Sequence, residues 1–223
     1  MRFFPTAAAP IVRLASSLKS RYESTRSSCC HRLTQKGAFT LAIRYTQCRR
    51  ELGRRQAQKR FERQRRLNRM ATPGPHPLVA VLDHLKPRFN IGKIFRSAEA
   101  FGAESVHLIG TEFFDPAPAM GSFKWVPARF FETFDQSYHE LLKRKYDIFI
   151  LDPGAPDRLP RTKLPVRCAF VFGHEEYGFS FEPEDYPQLR RLSVPQLGKI
   201  QSLNVSVAAS LAMYEYIRQR LEP

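Results

Sequence analysis

Apolar and polar positions alternate in blocks along residues 78–220. Residues 78–82 form a short apolar run of the kind a buried strand needs, and a polar loop follows as far as Asn90. Ile91, Ile94, Phe95, Ala98 and Phe101 then recur at helical spacing, which predicts a helix with Asn90 capping its start and Gly102 its end. Residues 105–109 predict a second strand. Strand, helix and strand in that order make a βαβ unit, so the sheet is predicted to be parallel. Further strands are expected at residues 147–151, 168–172 and 192–194, with a helix near residues 137–145. The last helix is expected over residues 203–220, with an apolar face made by Leu203, Val207, Leu211, Tyr214 and Ile217. The fold class is α/β, a mostly parallel sheet with helices on both faces.

Charge divides the chain where the periodicity does not. Residues 1–70 hold 18 Lys and Arg against 3 Asp and Glu, while the remainder balances at 18 against 18, so the whole net charge of +15 sits in the N-terminal part. Such an excess attracts a polyanion over about a Debye length, and nucleic acid is the expected partner. Residues 1–70 therefore read as a basic extension, disordered or partly helical, residues 71–77 as a Pro-rich linker, and residues 78–223 as one folded domain. Residues 1–22 carry no acid, as in a mitochondrial transit peptide; an upstream translation start before Met70 is the rival explanation. Location is accordingly expected to be cytoplasmic, or the mitochondrial matrix if the segment is a transit peptide. Residues 49–69 are rich in helix formers and poor in apolar ones, which suits either a helix formed on a phosphate backbone or a solvated charged helix. No window approaches the roughly 18 apolar residues of a membrane span. Cys29, Cys30, Cys48 and Cys168 make no zinc spacing, and no metal is expected.

An open parallel sheet binds its ligand at the carboxyl ends of the strands, so chemistry is expected in the loops there. The loop after the first strand, Asp83-His84-Leu85-Lys86-Pro87-Arg88-Phe89, has no glycine, which disfavours a dinucleotide site of the common kind. Three other segments stand out. The first runs from Asn90 to Gly102 and sets Arg96 six residues after Asn90. The second is Phe170-Val171-Phe172-Gly173-His174-Glu175-Glu176-Tyr177-Gly178, a strand leaving into a loop with two glycines. The third runs from Val194 through Pro195 and Gly198 to Ser202-Leu203-Asn204-Val205-Ser206, opening the last helix. Taken singly, each has an ordinary reading: a surface arginine, a strand exit, a pair of helix caps. His174 is expected to be a packed or solvated histidine, and the adjacent Glu175 and Glu176 no acid/base pair.

In this order and at these separations the three segments resemble the motifs of the SpoU/TrmH family of SPOUT-class RNA 2′-O-methyltransferases, over about residues 77–220. The resemblance implies a C-terminal deep trefoil knot, S-adenosylmethionine as methyl donor, an RNA substrate with tRNA placed before rRNA, and a homodimer. It implies catalytic roles for Arg96, Asn90, Glu175, Ser202 and Asn204. Contact with the methyl donor is implied for Leu151, Asp152, Pro153, Gly173, Val194, Leu197, Ser202 and Leu203. Arg96 is the residue that the resemblance assigns to the ribose hydroxyl; a guanidinium stays protonated, so its expected work is to orient ribose and phosphate, and the proton acceptor is left open. Two rival readings stand beside this one, a non-catalytic RNA-binding protein on the same fold and a doubly wound cofactor enzyme.

Overall fold

The computed structural model describes residues 38–86 and 89–221, with side chains from residue 47. The candidate transit segment, Cys29 and Cys30 lie outside the described residues. The chain divides into two compact units, residues 1–55 and 56–223. Of the first, a stretch of helix is described, the beginning of α1 (Ala38–Asn68). The second unit starts at Gln56, upstream of both the expected linker and the expected start of the folded domain.

Within the second unit six strands form one parallel sheet in the order β3-β2-β1-β5-β4-β6. They are β1 (His76–Asp83), β2 (Ala103–Ile109), β3 (Ala128–Phe131), β4 (Asp147–Leu151), β5 (Cys168–Phe172) and β6 (Leu189–Leu192). Three helices complete it: α2 (Phe89–Ala100), α3 (Phe134–Lys143) and α4 (Val205–Leu221). All five pairings are parallel, as the βαβ pattern predicted. β3 has no counterpart among the predicted strands, its four residues being too short a signal. β6 lies earlier than the predicted 192–194, because Arg190 and Arg191 break the apolar run there yet sit on a solvent-facing edge strand.

Side chains of a strand alternate between faces, and here each face has its own core. Leu78, Ala80 and Leu82 of β1 with Cys168, Phe170 and Phe172 of β5 face α2 and α4, whereas Val79, Val81, Ala169 and Val171 face α3. The predicted two-sided sheet is observed. The end of α1 joins the first core. Phe61 stacks on Phe123 at 5.6 Å and meets Phe113 and Phe114 edge-on, both at 5.3 Å. Buried Asn68 donates from Nδ2 to the carbonyls of Phe123 (2.5 Å) and Val126 (2.6 Å), and its Oδ1 accepts from the Ala128 N–H (3.1 Å), so one amide closes three backbone groups beside β3.

The last helix turns largely away from its predicted face, of which Ile217 alone is buried within the helix. Ser206, Ala209, Ala212, Met213 and Tyr216 are buried, while Val207, Leu211 and Tyr214 are exposed. Small residues let α4 approach α2 closely enough for Ser97 Oγ and Ser210 Oγ to hydrogen-bond at 2.7 Å, and a bulky face would have held the helices apart. Leu203 lies before the helix and Asn204 is its cap: Asn204 Oδ1 accepts from the backbone N–H (2.9 Å) and the hydroxyl (2.6 Å) of Ser206.

Candidate functional site

β1, β5, β4 and β6 are neighbours, and the register pairs Leu82 with Phe172, Ile150 with Val171 and Leu151 with Leu192. Their carboxyl ends therefore emerge side by side at roughly 5 Å spacing, and the loops from residues 83, 152, 173 and 193 rise from one edge.

The loop after β5 is folded on itself. His174 and Gly178 exchange backbone hydrogen bonds at 2.6 and 3.0 Å. A Cβ at Gly173 would lie 2.7 Å from the Gly178 carbonyl oxygen, so the glycine there is required by this crossing of the loop, beside the contact with the methyl donor that the resemblance implies for it. His174 Nδ1 accepts from the backbone N–H groups of Glu176 (3.0 Å) and Tyr177 (3.3 Å). The loop is also tied along its length to the segment that follows β1. Asp83, fully buried, accepts from the Ser180 N–H (2.6 Å) and the Ser180 hydroxyl (2.8 Å). Lys86 pairs with Glu176, and Asn90 Nδ2 donates to Glu175 Oε1 at 2.7 Å. The two adjacent glutamates thus engage different partners, as expected of residues that form no acid/base pair.

Asn90 is the second residue of α2, not the cap before it, because the helix starts at Phe89. Its side chain is turned to the site: Nδ2 meets Glu175, and Oδ1 accepts from Asn204 Nδ2 at 3.4 Å. Glu175, Asn90 and Asn204, from three separate segments, form one hydrogen-bonded line. Arg96 is exposed on the same helix and has no hydrogen-bond or ion-pair partner among the described residues. Ser202 is exposed and joins neither network. Among the expected cofactor residues, Leu151, Gly173, Val194 and Leu203 are half-buried, Pro153 is exposed and Leu197 is 99% exposed. Asp152 is committed within its own loop and to the neighbouring strand, its Oδ1 accepting from the Gly154 N–H (2.9 Å) and its Oδ2 meeting Arg191 of β6 at 3.4 Å.

The sequence reading missed Asp83, Ser180 and Lys86, whose signal was a polar cluster directly after a buried strand. It also missed Gln196, whose Oε1 is buried with no hydrogen-bond partner in the loop between β6 and α4. Among the described residues no group of three or more His, Cys, Asp or Glu is placed to hold a metal ion.

With this geometry in place, comparison with known proteins gives a consistent result. The SpoU rRNA Methylase family matches residues 77–214. The chain is 30% identical over 166 residues to the tRNA (guanosine(18)-2′-O)-methyltransferase of Thermus thermophilus, covering 72% of this chain and 84% of that one. It is 31% identical over 147 residues to a 23S rRNA (guanosine-2′-O-)-methyltransferase of Nitrosomonas europaea, covering 64% of this chain and 56% of that one. The SpoU methyltransferase AviRb of Streptomyces viridochromogenes, solved with AdoMet, superposes with a TM-score of 0.60 at 22% identity, over 70% of this chain and 65% of that one, and shares its fold.

Proposed function

The chain belongs to the SpoU rRNA Methylase family, and from that premise we propose that it transfers a methyl group from S-adenosylmethionine to a ribose 2′-hydroxyl of RNA. The observation that carries the reading is the line Glu175–Asn90–Asn204 at the start of the helix that carries Arg96, a residue with no hydrogen-bond or ion-pair partner among the described residues. Three segments far apart in sequence are locked together where that helix starts. A tRNA is the preferred substrate, because the chain spans 84% of the tRNA enzyme and 56% of the rRNA enzyme.

S-adenosylmethionine supplies a methyl group on a sulfonium. The residues present suit it: the loop between β6 and α4 holds an orphaned buried acceptor, Gln196 Oε1, and uncovered apolar side chains at Leu197 and Ile200, matching an adenine's amino group and faces. Leu151, Asp152, Pro153, Gly173, Val194, Leu197, Ser202 and Leu203 would hold it, with Gln196 added. Arg96 offers its forked donors to the ribose and its phosphate and so aligns the hydroxyl for in-line attack. Glu175 fixes Asn90, and Asn90 with Asn204 fixes the start of α2 against α4, so the helix that carries Arg96 cannot drift. A trefoil knot through the β5–β6 loops and a homodimer belong to the same proposal. The exposed stripe Val207, Leu211 and Tyr214, with Phe101 at 6.2 Å from Tyr214, supports the dimer. No described helix is long and apolar enough to cross a membrane; cytoplasm is the proposed location, or the mitochondrial matrix if residues 1–22 direct it there.

The test is methyl transfer from labelled S-adenosylmethionine to tRNA and rRNA transcripts, followed by nucleoside mass spectrometry. A 2′-O-methylated nucleoside is expected. Donor binding by titration without transfer to any RNA would favour the non-catalytic RNA-binding reading.

A further inference from the structure

The second unit begins inside α1, so the helix from Gln56 onward belongs to the folded body and is no loose arm. Ala57, Phe61 and Asn68, at intervals of four and seven residues, are buried, which fixes the rotation of the helix about its axis. Lys59, Arg63 and Arg66 therefore face outward, all exposed, and exposed Arg69 follows just past the helix end. These cations have no hydrogen-bond or ion-pair partner among the described residues, whereas Arg60 pairs with Asp115 at 3.2 Å and Arg65 lies over the Phe130 ring at 4.4 Å. The bonds that end the helix set a second group beside them. Asn68 Nδ2 donates to the carbonyls of Phe123 and Val126, so the last turn of α1 lies against the chain between those residues, and that chain carries Lys124 and Trp125. Phe123 and Val126 are buried, and the Trp125 N–H donates to the Ser122 carbonyl at 2.9 Å, yet Trp125 itself is 56% exposed. Lys124 Nζ lies over its ring, 4.7 Å from the centre. Trp125, the only tryptophan of the chain, is thus pinned on both sides while its ring is offered to solvent beside unpaired cations.

We propose that Trp125 and the outer face of the end of α1 form an RNA-docking surface that takes no part in methyl transfer: an unpaired base of the substrate stacks on the Trp125 ring while neighbouring phosphates meet Lys124, Arg66 and Arg69. The identity of the RNA as substrate rests on the RNA methyltransferase reading. Every base has a flat face, and an indole is the broadest side chain to receive one. The only acid between residues 56 and 70 is Glu62, whose carboxylate accepts from Gln58 at 3.0 Å, so the charge around the ring suits a phosphate backbone. A surface built this way favours RNA with a loop or single-stranded segment over a continuous duplex, in which every base is already stacked.

The experiment uses the full-length protein, whose single tryptophan reports on itself. Fluorescence excited where tyrosine does not absorb is followed at low salt as an unstructured RNA oligonucleotide is added, and separately as the same sequence is added in a duplex. The single strand is expected to quench the emission and the duplex to leave it nearly unchanged. Trp125→Ala is expected to raise the KM for the RNA that the parent methylates by about five- to hundredfold, the range of one lost stacked base, with kcat and S-adenosylmethionine affinity unchanged. Trp125→Phe should recover most of that loss. Arg66→Gln with Arg69→Gln should flatten the slope of log affinity against log salt by about 1.4, the value for two phosphates on a single strand. Emission that RNA leaves unchanged, equal quenching by strand and duplex, or an unchanged KM in Trp125→Ala overturns the proposal. So does a fall in light-scattering mass in Trp125→Ala, which would make the ring a contact between copies of the chain. A parent that methylates no RNA yet is quenched by the single strand overturns the methyltransferase reading and keeps the surface, whereas a parent that methylates RNA without quenching removes the surface alone.

Discussion

The two ends of the sheet treat their charged side chains in opposite ways, although neutral buried atoms without a hydrogen-bond partner occur in β2 as well, at Ser105 Oγ and His107 Nε2. At the amino ends, Glu104 of β2 accepts from Arg144 and from the Tyr146 hydroxyl, Arg129 pairs with Glu140, and the guanidinium groups of Arg144 and Arg167 lie over the Tyr146 ring at 5.3 and 5.5 Å. At the carboxyl ends, Asn90, Glu175 and Asn204 are just as firmly held, but among the described residues Gln196 Oε1 has no partner, Leu197 stands in solvent, and Arg96 on the helix that starts at this edge is unpaired. A network that closes on itself stabilises the fold. One that is rigid yet leaves selected groups unmatched is prepared for something it does not contain.

The sharpest test of the contrast is to remove Arg96, which is unpaired among the described residues. Arg96→Ala should lower methyl transfer by about 10³-fold, the scale of losing a preorganised donor at a reacting centre. Thermal midpoint and S-adenosylmethionine titration should match the parent, because Arg96 bonds to nothing else among the described residues. Near-parental turnover would remove Arg96 from the site.

The closed end should respond in stability alone. Burial first, then Arg129 and Arg144, push the His107 imidazole down from 6.5 to about 3. The folded state binds its proton later than the unfolded chain does, so the stability from neutral His107 is complete above pH 6.5 and is lost as pH falls from there towards 3. The slope is about 1.4 kcal/mol per pH unit, or about 2 kcal/mol at pH 5. His107→Asn can keep the bond to the Ser137 hydroxyl, now 2.8 Å from Nδ1, while removing the titration. Urea melts at pH 8 and pH 5 should show the variant losing less stability than the parent; equal losses would mean that His107 is not held neutral. Glu104→Ala, at the same end, should cost about 2 kcal/mol by stranding the Tyr146 hydroxyl and Arg144. Turnover per folded molecule should stay parental, and a loss there would break the division between the two ends.

Legibility in the sequence followed the same division. β1, β4 and β5 are buried on both faces, so their apolar runs were easy to read, and the ordered motifs brought out Asn90, Arg96, Glu175 and Asn204 before any geometry. Two faces of α4 are apolar, and periodicity alone cannot say which turns inward; the small residues won because they let α2 come close. Phe61 was hidden among arginines, since one aromatic in a basic helix carries no period. Asp83 carries its meaning in the two hydrogen bonds it accepts from Ser180, 97 residues away, which no local pattern of residue types records.

The smallest expected effect is at Gln196, and it carries opposite signs in the two measurements. A buried acceptor with no donor costs the folded protein about 1 kcal/mol or more, and an apolar side chain of similar size has no such cost. Gln196→Leu should therefore raise the thermal midpoint slightly in the absence of S-adenosylmethionine. The same change removes the acceptor offered to the adenine amino group, so donor affinity should fall by about tenfold, the range of a hydrogen bond lost from a buried site. A gain in both stability and affinity would make Gln196 an ordinary packing residue. A loss of stability with unchanged affinity would place the missing partner within the protein, and the carboxyl end of the sheet would then be less open than the contrast with the amino end requires.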